Sequence, residues 1–561
     1  MDCSILVFKT SALGRSAIPP GERDCIISGS GVQLYEKTQV QRTSEVCCTC
    51  AILRFMSRFA RSALIVAVFF GLEKVLGFVR QLLIARQFQL SAELDAFNAA
   101  NNIPDLIFVL VSGGTLALAF IPVLSETLEK QGRKAAWDLF SRIANLVFLV
   151  AAGLSIVIAL LADVLVRGVV TPGFSLEQQR LVADLMRLNL ISTLIFSVSG
   201  LVMAGLQANQ HFLLPAMAPS MFDLGMLFGV LILAPETGYQ LGPLHLPAFG
   251  LGIHGLVYGG ILGALLYLGI QVPGLIRYRF RWTPAINLRH PGVLQVLNLL
   301  GPRMVTVGFI QVVFILQDNF ASWLVEGSVS ALVYGWLFMQ VPETIIGTAI
   351  ATVLLPTISE LIARNDFDGF REALNKAVRV ILALTIPVAA ILSTGLRPLV
   401  GLLGFEATAA DLVVWTGRAY MLGIIGHALL EIAARGFYAR QDAITPMLLS
   451  GLATLLFAGL AWALARPLGA PGIALANAIA FTTEALILWW LHHRRMPGVL
   501  KVSSTLWRAL PAAALGALLV YGMLRLPLPV PDLILGLGGL LAGGLVALPF
   551  IWKEVRLLAR F

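Results

Sequence analysis

The chain contains 561 residues, of which 58% are hydrophobic and 13% are charged, and its formal net charge is +9. Soluble globular domains are about one quarter charged, so this composition excludes an ordinary soluble protein and indicates a membrane protein with many spans. The sequence has no G-x-x-x-x-G-K-[ST] phosphate loop and no evident soluble catalytic domain, so we do not expect an enzyme.

The first fifty residues differ from the rest of the chain because they hold all the cysteines and no sustained apolar run. The five cysteines are Cys3, Cys25, Cys47, Cys48 and Cys50. Their cluster at 47–50 lacks the regular spacing and the nearby histidine of a metal site, so we predict no metal there. We expect translation to begin at Met56, which makes residues 1–55 a non-native or disordered N-terminal extension.

Apolar runs of about 20 residues, the length of a membrane-spanning helix, recur along the rest of the chain. They predict an all-α polytopic membrane protein with about fourteen transmembrane helices. The predicted spans are 62–88, 95–122, 137–161, 181–205, 212–235, 248–274, 292–320, 326–355, 374–393, 410–434, 446–464, 470–491, 505–524 and 533–552.

Basic residues are concentrated in alternate loops between these spans. Examples are the group Lys130, Arg133 and Lys134 and the pair Arg494 and Arg495, whereas the intervening loops contain few. Cytoplasmic loops of membrane proteins carry an excess of Lys and Arg, so both termini are predicted to be cytoplasmic. The positive charge is explained by topology, and we predict no nucleic-acid partner.

Two pairs of segments indicate an internal repeat. "IPVLSETLEK" from Ile121 matches "LPTISELIAR" from Leu355, and "AGLQANQHFLLP" at 204–215 matches "RGFYARQDAITP" at 435–446. Each unit holds six helices, which predicts two parallel six-helix lobes around a central cavity. The predicted domains are an N-lobe at 56–280, a C-lobe at 281–498 and two extra C-terminal helices at 499–561. This organisation favours a transporter that opens alternately to each side of the membrane.

Three of the predicted spans carry polar side chains on one face. At 100° per residue, each set falls within an arc of about 120°. Intramembrane charges are costly and are tolerated where they face a polar cavity, so we interpret these faces as the cavity lining. The candidate substrate-binding residues are Glu73, Lys74 and Arg80 on the first span, Asp95, Asn98 and Asn102 on the second, and Arg303 and Gln311 on the seventh.

The cations of the first span suit a phosphate group, and Arg80 suits it better than Lys74 because a guanidinium binds two oxygens at once. Amides and carboxylates suit a sugar or peptide headgroup, so we predict a lipid with an anionic, polar headgroup. Simpler interpretations stay open. Glu73 could pair with Lys74 or Arg80. Asp95 could serve only as a helix cap, and Arg303 could extend to the cytoplasmic interface.

Five stretches of the chain resemble the MurJ (MviN) family of lipid II flippases, part of the multidrug/oligosaccharidyl-lipid/polysaccharide exporter superfamily. They are "VLGFVRQLLIARQF", "DAFNAANNIPDL", "AFIPVLSE", "GFYARQDAITP" and "FASWLVEGSVS". The resemblance covers Met56 to the C-terminus. It implies a flippase that moves a polyprenyl-diphosphate-linked peptidoglycan precursor, lipid II, to the outer leaflet of the bacterial plasma membrane for cell-wall biosynthesis. It also implies functional positions for Arg80 and Asp95, and a Lys74 where arginine is usual.

The chain departs from the family pattern at two places. The family's second helix commonly carries an arginine pair and a glutamate, which are replaced here by Phe108, Val109 and Gly113. The eighth helix commonly carries Asp, Arg and Glu, and the residues at those positions are Trp336, Leu337 and Gln340. The arginine that the resemblance places at the headgroup diphosphate is therefore absent, and Arg303 is a candidate to compensate for it.

The membrane potential or an ion gradient is predicted to drive transport. Because some relatives use sodium, Asp318 and Glu431 are candidate ion-coupling residues for Na+ or H+, although each could equally be a satisfied polar residue. His427, one turn from Glu431, is interpreted as a packed polar residue. We predict no other cofactor. The implied partners are the polyprenyl-linked glycolipid, the bilayer and cell-wall synthesis proteins.

Two other functions are compatible with the sequence. One is a transporter of the same superfamily for a different polyprenyl-linked saccharide, or a drug/cation antiporter, which the missing arginines favour. The other is a non-transporting scaffold, which the retained Arg80 and Asp95 argue against. A structure that places Arg80, Asp95 and Arg303 around one cavity would favour the flippase.

Overall fold

The structure is a computed structural model, and it describes residues 58–111, 114–241, 244–496, 502–527 and 529–558. The predicted N-terminal extension, 1–55, and its cysteines lie outside the described residues. Residues Ala60–Phe561 form one compact unit. The predicted division of this unit into lobes near residues 280 and 498 stays a prediction.

Within the described ranges, the N-terminal half of the bundle contains seven helices. They are α1 (Arg58–Phe88), α2 (Ala92–Val111), α3 (Gly114–Leu165), α4 (Leu176–Ala208), α5 (Leu213–Phe228), α6 (Ile253–Gly269) and the short α7 (Val272–Arg277). Short π-helical segments extend α3 over Val166–Val170 and α5 over Gly229–Leu233. A small hairpin, Gln240–Leu241 paired with Leu244–His245, lies between α5 and α6.

The part of the C-terminal half that the structure describes contains nine helices. They are α8 (Pro291–Ala321), α9 (Ser328–Glu343), α10 (Ala349–Ala363), α11 (Phe367–Gly401), α12 (Ala407–Tyr438), α13 (Ile444–Leu468), α14 (Ala470–Arg495), α15 (Ser503–Leu524) and α16 (Asp532–Leu558). A π-helical segment, Thr344–Thr348, joins α9 to α10 without a break. These three elements together form one long crossing at the predicted eighth span.

The all-α polytopic fold predicted from the sequence is confirmed. Twelve helical stretches within the described ranges are long and apolar enough to cross a membrane. The other two predicted spans, 62–88 and 95–122, correspond to α1 and to α2 with the start of α3, and each includes residues outside the described side chains.

The longest helix, α3, combines the end of the second predicted span with the whole of the third. Gly132 interrupts it with φ +83°, a left-handed conformation that glycine adopts at low cost. The flanking segment is charged, with an ion pair of 2.7 Å between Lys130 and Glu126. The sequence therefore predicts a loop there, and the structure instead forms a tight corner between two helices.

Apolar side chains occupy both the interior and the surface of the bundle. The largest buried cluster joins α1, α2, α4, α6, α9 and α12 through residues such as Ala85, Ala99 and Val182. Leu160 and Leu541 are examples of large side chains that stay exposed. A lipid-facing surface has this character, because backbone polar groups are satisfied within the helices and the outer side chains meet hydrocarbon.

Candidate functional site

A cavity of about 580 Å³, lined by both polar and apolar side chains, lies within the bundle. Helices α1, α2, α4, α5 and α6 provide most of its wall, and Val333 and Tyr334 of α9 provide the remainder. Its charged lining residues among those described are Glu73, Arg80, Asp105 and Asp223. The cavity is therefore built mainly from the first half of the chain, with one guanidinium among three carboxylates.

Arg80 is the cationic group of this cavity. Its Nη1 donates to Asp223 Oδ1 at 2.6 Å, and its guanidinium lies 5.6 Å from the centroid of the Phe222 ring. Asp223 is 3% exposed and Arg80 is half-buried, so the pair is shielded from the lipid on one side and open to the cavity on the other. This position agrees with the prediction that Arg80 faces a cavity.

Asp223 was not among the residues that we selected from the sequence. It is the single charged residue of α5, in the apolar run "LLPAMAPSMFDLGMLF". A lone intramembrane carboxylate is by default a functional candidate, and that signal could have identified it. Periodicity on α5 alone does not give its partner, because Arg80 lies 143 positions earlier in the chain.

Glu73 and Lys74 differ in their position relative to the cavity. Glu73 lines the cavity, whereas Lys74 is not among its lining residues and its side chain is 61% exposed. Lys74 Nζ lies 3.2 Å from Glu73 Oε2 and 5.0 Å from the centroid of the Phe70 ring. The interpretation in which Glu73 pairs with Lys74 describes this arrangement, and Lys74 is placed beside the cavity rather than in its wall.

Asp95 does not reach the cavity, because its carboxylate is bound by another helix. It is 1% exposed and accepts hydrogen bonds from the backbone N–H groups of Gly327 and Ser330, each at 2.7 Å. Gly327 precedes α9 with φ +85°, a conformation that favours glycine. Asp95 therefore caps the N-terminus of α9, where a carboxylate satisfies free N–H groups and the helix dipole. The simpler interpretation from the sequence is that Asp95 caps its own helix, whereas the helix that it caps is the distant α9.

Further contacts near Asp95 join α2 and the turn before it to α9 and to the turn after α11. Glu326 Oε1 accepts from the Ala92 N–H at 2.7 Å. Each of the two helix starts therefore provides a carboxylate to the backbone of the other. Asn98 donates to Ser330 Oγ at 3.0 Å and also lines the cavity. On the neighbouring turn, Gln89 donates to the Gly404 carbonyl at 3.1 Å. We name these contacts, together with the Asp95 cap, the seam; they close one end of the bundle.

Asn102 also faces the second half of the chain instead of the cavity. Its Nδ2 donates to Asp318 Oδ2 at 2.6 Å, and Asp318 is 4% exposed. The preceding residue, Asn101, accepts from Asn189 Nδ2 at 2.8 Å, and both of these amides line the cavity. The amide face of α2 is thus divided between the cavity and the contact with α8.

Part of the cavity wall is aromatic. The Phe196 ring packs against the rings of Phe108, Phe222 and Tyr267 at centroid distances of 5.6, 5.4 and 5.4 Å. Asp105 projects into the same space, exposed to the cavity and without an ion pair among the described residues. Phe108 occupies one position at which the family resemblance leads us to expect arginine, so an aromatic surface stands in place of a cation.

The remaining candidates lie away from this cavity or outside the described side chains. Gln311 is half-buried on α8 and is not among the lining residues. The side chain of Arg303 lies outside the described residues. Glu431 forms an ion pair of 2.5 Å with Arg435 on α12. It lies near the opposite end of the bundle from Asp318, so these two ion-coupling candidates are not adjacent. No group of His, Cys, Asp and Glu within the described ranges could hold a metal ion.

The helical bundle and its internal cavity define the chain as a multi-span membrane protein. The family model described as "Lipid II flippase MurJ" matches residues 84–529. The chain is 31% identical to "Lipid II flippase MurJ" of Burkholderia cenocepacia over 396 residues, which cover 69% of this chain and 74% of that protein. The chain belongs to the lipid II flippase MurJ family, and the resemblance inferred from five sequence stretches is confirmed.

Solved structures agree on the fold. A structure titled "Lipid II flippase MurJ, inward closed conformation" superposes with a TM-score of 0.73 at 22% identity, covering 88% of this chain and all of that chain. An inward-facing multidrug resistance MATE family transporter of the MOP superfamily superposes with a TM-score of 0.63 at 14% identity, covering 77% of this chain and 96% of that chain. These similarities concern the architecture and leave the cavity chemistry to this chain's own residues.

Proposed function

We propose that this protein is a lipid II flippase that moves a polyprenyl-diphosphate-linked peptidoglycan precursor from the inner to the outer leaflet for cell-wall biosynthesis. The observation that carries the proposal is Arg80, a guanidinium facing a cavity of about 580 Å³ inside the bundle of a MurJ family member. Ligand pockets commonly have volumes of about 300–1,000 Å³, so this cavity can hold part of a large headgroup.

The lining residues divide the recognition of such a headgroup between them. Arg80 provides a planar fork for two diphosphate oxygens, a geometry that lysine does not offer. Asn98, Asn101 and Asn189 offer amide donors and acceptors to the sugar and peptide. The aromatic wall around Phe196 provides flat apolar faces for a sugar ring, and the polyprenyl tail stays in the bilayer.

Alternating access requires that one end of the cavity opens while the other closes. With both termini cytoplasmic, as the distribution of basic loops favours, the seam lies at the outer side of the plasma membrane. Its opening breaks the Asp95 cap on α9 and the bond between Asn98 and Ser330. The protein then acts as a secondary-type transporter rather than an enzyme, with the membrane potential or an ion gradient as the drive.

A monovalent cation, Na+ or H+, is our candidate coupling ion. Asp318 supports this proposal because it is buried, bears a carboxylate and contacts Asn102 next to the seam. Glu431 is neutralised by Arg435 and is the less suitable of the two. Cell-wall synthesis proteins, which would produce or consume the lipid, are the proposed protein partners.

Replacement of a resident flippase in living bacteria tests the proposal. Cells depleted of their lipid II flippase would express this chain, and growth and the arrival of lipid II in the outer leaflet would be measured. We expect rescue by the wild-type chain and loss of rescue with Arg80→Ala. The matched control is Arg187→Ala, since Arg187 also forms an ion pair of 2.6 Å, with Asp163, but does not line the cavity.

The interpretation depends on equal amounts of each variant in the membrane, measured by immunoblot. Rescue by Arg80→Ala to the wild-type level would contradict the proposed role of the cavity. Failure of a well-inserted wild-type chain would favour another polyprenyl-linked saccharide, which purified lipids of different headgroups would then identify by binding. A scaffold would instead restore growth without moving lipid II.

A further inference from the structure

Arg80 already has an anionic partner within the protein. Its Nη1 lies 2.6 Å from Asp223 Oδ1, a distance typical of a charge-assisted hydrogen bond. The partner comes from α5, whereas Arg80 belongs to α1, and both side chains line the same cavity. Phe222, next to Asp223 in sequence, covers the guanidinium with its ring at 5.6 Å. The Arg80 guanidinium, which we propose to bind the diphosphate, is thus already paired with a carboxylate of the protein.

An unpaired guanidinium is costly in a cavity that closes within the membrane. Removing one partner of a buried ion pair leaves an uncompensated charge, which destabilises a protein strongly. A carrier of an anionic headgroup must nevertheless close twice in each cycle, once loaded and once empty. In the loaded state the cargo neutralises the arginine, and in the empty state another anion has to do so.

We propose that Asp223 is an internal counter-anion, which occupies Arg80 when the cavity is empty and is displaced from it by the diphosphate of the cargo. The proposal rests on the proposed flippase function and adds a residue to it. Asp223 lowers the affinity for the cargo, because the diphosphate must compete with a tethered carboxylate. In return, it neutralises Arg80 during the empty return and so permits repeated turnover.

The surroundings of Asp223 allow such a displacement. Gly77 of α1 faces the carboxylate without a side chain, and a Cβ at this position would lie 3.8 Å from Asp223 Oδ2. A methyl group there would be in ordinary van der Waals contact with the carboxylate, so the missing side chain of Gly77 leaves about that much room beside the pair. Asp223 also borders the cavity, so a displaced carboxylate stays in contact with the water of that cavity. Arg80, for its part, donates to a single Asp223 oxygen and keeps further N–H groups for an incoming diphosphate.

A simpler role for the same contact is a fixed brace between α1 and α5. The two roles predict opposite effects on binding when the carboxylate is neutralised. Loss of a brace weakens binding or leaves it unchanged, because the cavity loses order. Loss of a competitor strengthens binding, because Arg80 becomes available. The sign of the change in affinity therefore separates them.

The experiment measures binding and flipping by the full chain in its wild-type, Asp223→Asn, Asp163→Asn and Arg80→Ala forms. The binding probe is undecaprenyl diphosphate in detergent, with inorganic diphosphate as the tail-free comparison. We expect Asp223→Asn to bind undecaprenyl diphosphate about tenfold more tightly, which corresponds to about 1.4 kcal/mol, and Asp163→Asn to match the wild type. Flipping in proteoliposomes should be preserved for the first turnover and slowed over many turnovers with Asp223→Asn.

The outcomes distinguish this inference from the proposed function. If the wild type binds undecaprenyl diphosphate and Arg80→Ala abolishes binding, but Asp223→Asn binds equally or more weakly, the counter-anion role is wrong and the flippase stands. If the wild type does not bind the probe, or Arg80→Ala binds it as well, the proposed function itself fails. Should Asp223→Asn not purify as a monodisperse protein, Asp223→Ser repeats the test with space for water beside Arg80. If neither variant folds, the contact is a brace and the inference is overturned.

Discussion

The seam and the cavity both place a charged side chain of the first two helices against a distant part of the chain, but they satisfy it differently. Asp95 in the seam binds two backbone N–H groups at the start of α9. Arg80 in the cavity binds one side chain, Asp223, on α5. The first partner is fixed by the path of the backbone, and the second can rotate away.

This difference assigns different roles to two residues that the sequence presented as one site. A carboxylate held by backbone donors at a helix N-terminus is well suited to hold two helices together and poorly suited to exchange partners. An ion pair between two side chains at a cavity wall can exchange one anion for another. We therefore infer that Asp95 acts in closing the bundle and Arg80 in holding cargo. The following substitutions test that distinction.

The largest effect is expected for Asp95→Ala. The change leaves the N–H groups of Gly327 and Ser330 without their acceptor, at a cost of about 1–3 kcal/mol for each buried group. The seam should open in more molecules, and transport should be lost. A cysteine introduced at Ser192 of the cavity wall reports the opening, because residues 58–558 contain no cysteine of their own. A membrane-impermeant maleimide added outside should label it faster in Asp95→Ala.

Asp95→Asn is the matched control for this prediction. An amide keeps the shape of the side chain and one acceptor oxygen, but its NH₂ group faces the second backbone N–H as a donor. Labelling and transport should be intermediate between those of the wild type and Asp95→Ala. Wild-type labelling and transport in Asp95→Ala would mean that other contacts close this end.

Much of this distinction could not be predicted from the sequence. Helical periodicity identified Arg80 and Asn98 as cavity residues because both lie on the polar face of a membrane helix. The same periodicity placed Asp95 on that face, but its partners are 232 and 235 positions away, so only the packing of α2 against α9 shows that it is a cap. The spans themselves were predictable, since the membrane sets their length and their apolar character.

Asp223 shows a second limit of prediction from the sequence. Its helix is apolar, and a single carboxylate does not form a periodic pattern that we could recognise. Its partner, Arg80, appears only when α5 packs beside α1. Similarly, Asn102 shares a helical face with Asn98, yet a small rotation of that face directs it to Asp318 instead of the cavity. Partner identity is a property of the packed bundle rather than of one helix.

A smaller effect is expected for Arg80→Lys, which retains the charge and removes the fork. The ammonium can still pair with Asp223, so the empty state should remain closed and the protein should remain stable. Binding of undecaprenyl diphosphate should weaken about 10- to 150-fold, because one of two parallel hydrogen bonds is lost at about 1.5–3 kcal/mol for a bond to a charged group. Isothermal titration would measure this. Unchanged affinity would show that charge alone is recognised.

Asn98→Ala should have a more modest effect, and on both regions at once. The amide bonds Ser330 Oγ in the seam and lines the cavity, and a single neutral hydrogen bond contributes about 0.5–1.5 kcal/mol. Ser330→Ala removes the same bond but leaves the Asn98 amide free for the headgroup. If the bond matters only for closure, the two variants should show equal maleimide labelling. A larger loss of lipid II binding in Asn98→Ala would show that the amide also contacts cargo.

The smallest effect is expected for Lys74→Ala, although the sequence placed Lys74 beside Arg80 as a phosphate ligand. Its side chain is 61% exposed and pairs with Glu73. Glu73 lines the cavity, but Lys74 does not. Exposed ion pairs contribute about 0–1 kcal/mol, so flipping and undecaprenyl diphosphate binding should change by less than about fivefold. The comparison with Arg80→Ala in the same assay is decisive, because both remove one cation from α1. A loss as large as that of Arg80→Ala would mean that Lys74 turns into the cavity when cargo binds, and that the headgroup is held by two cations of α1 instead of one.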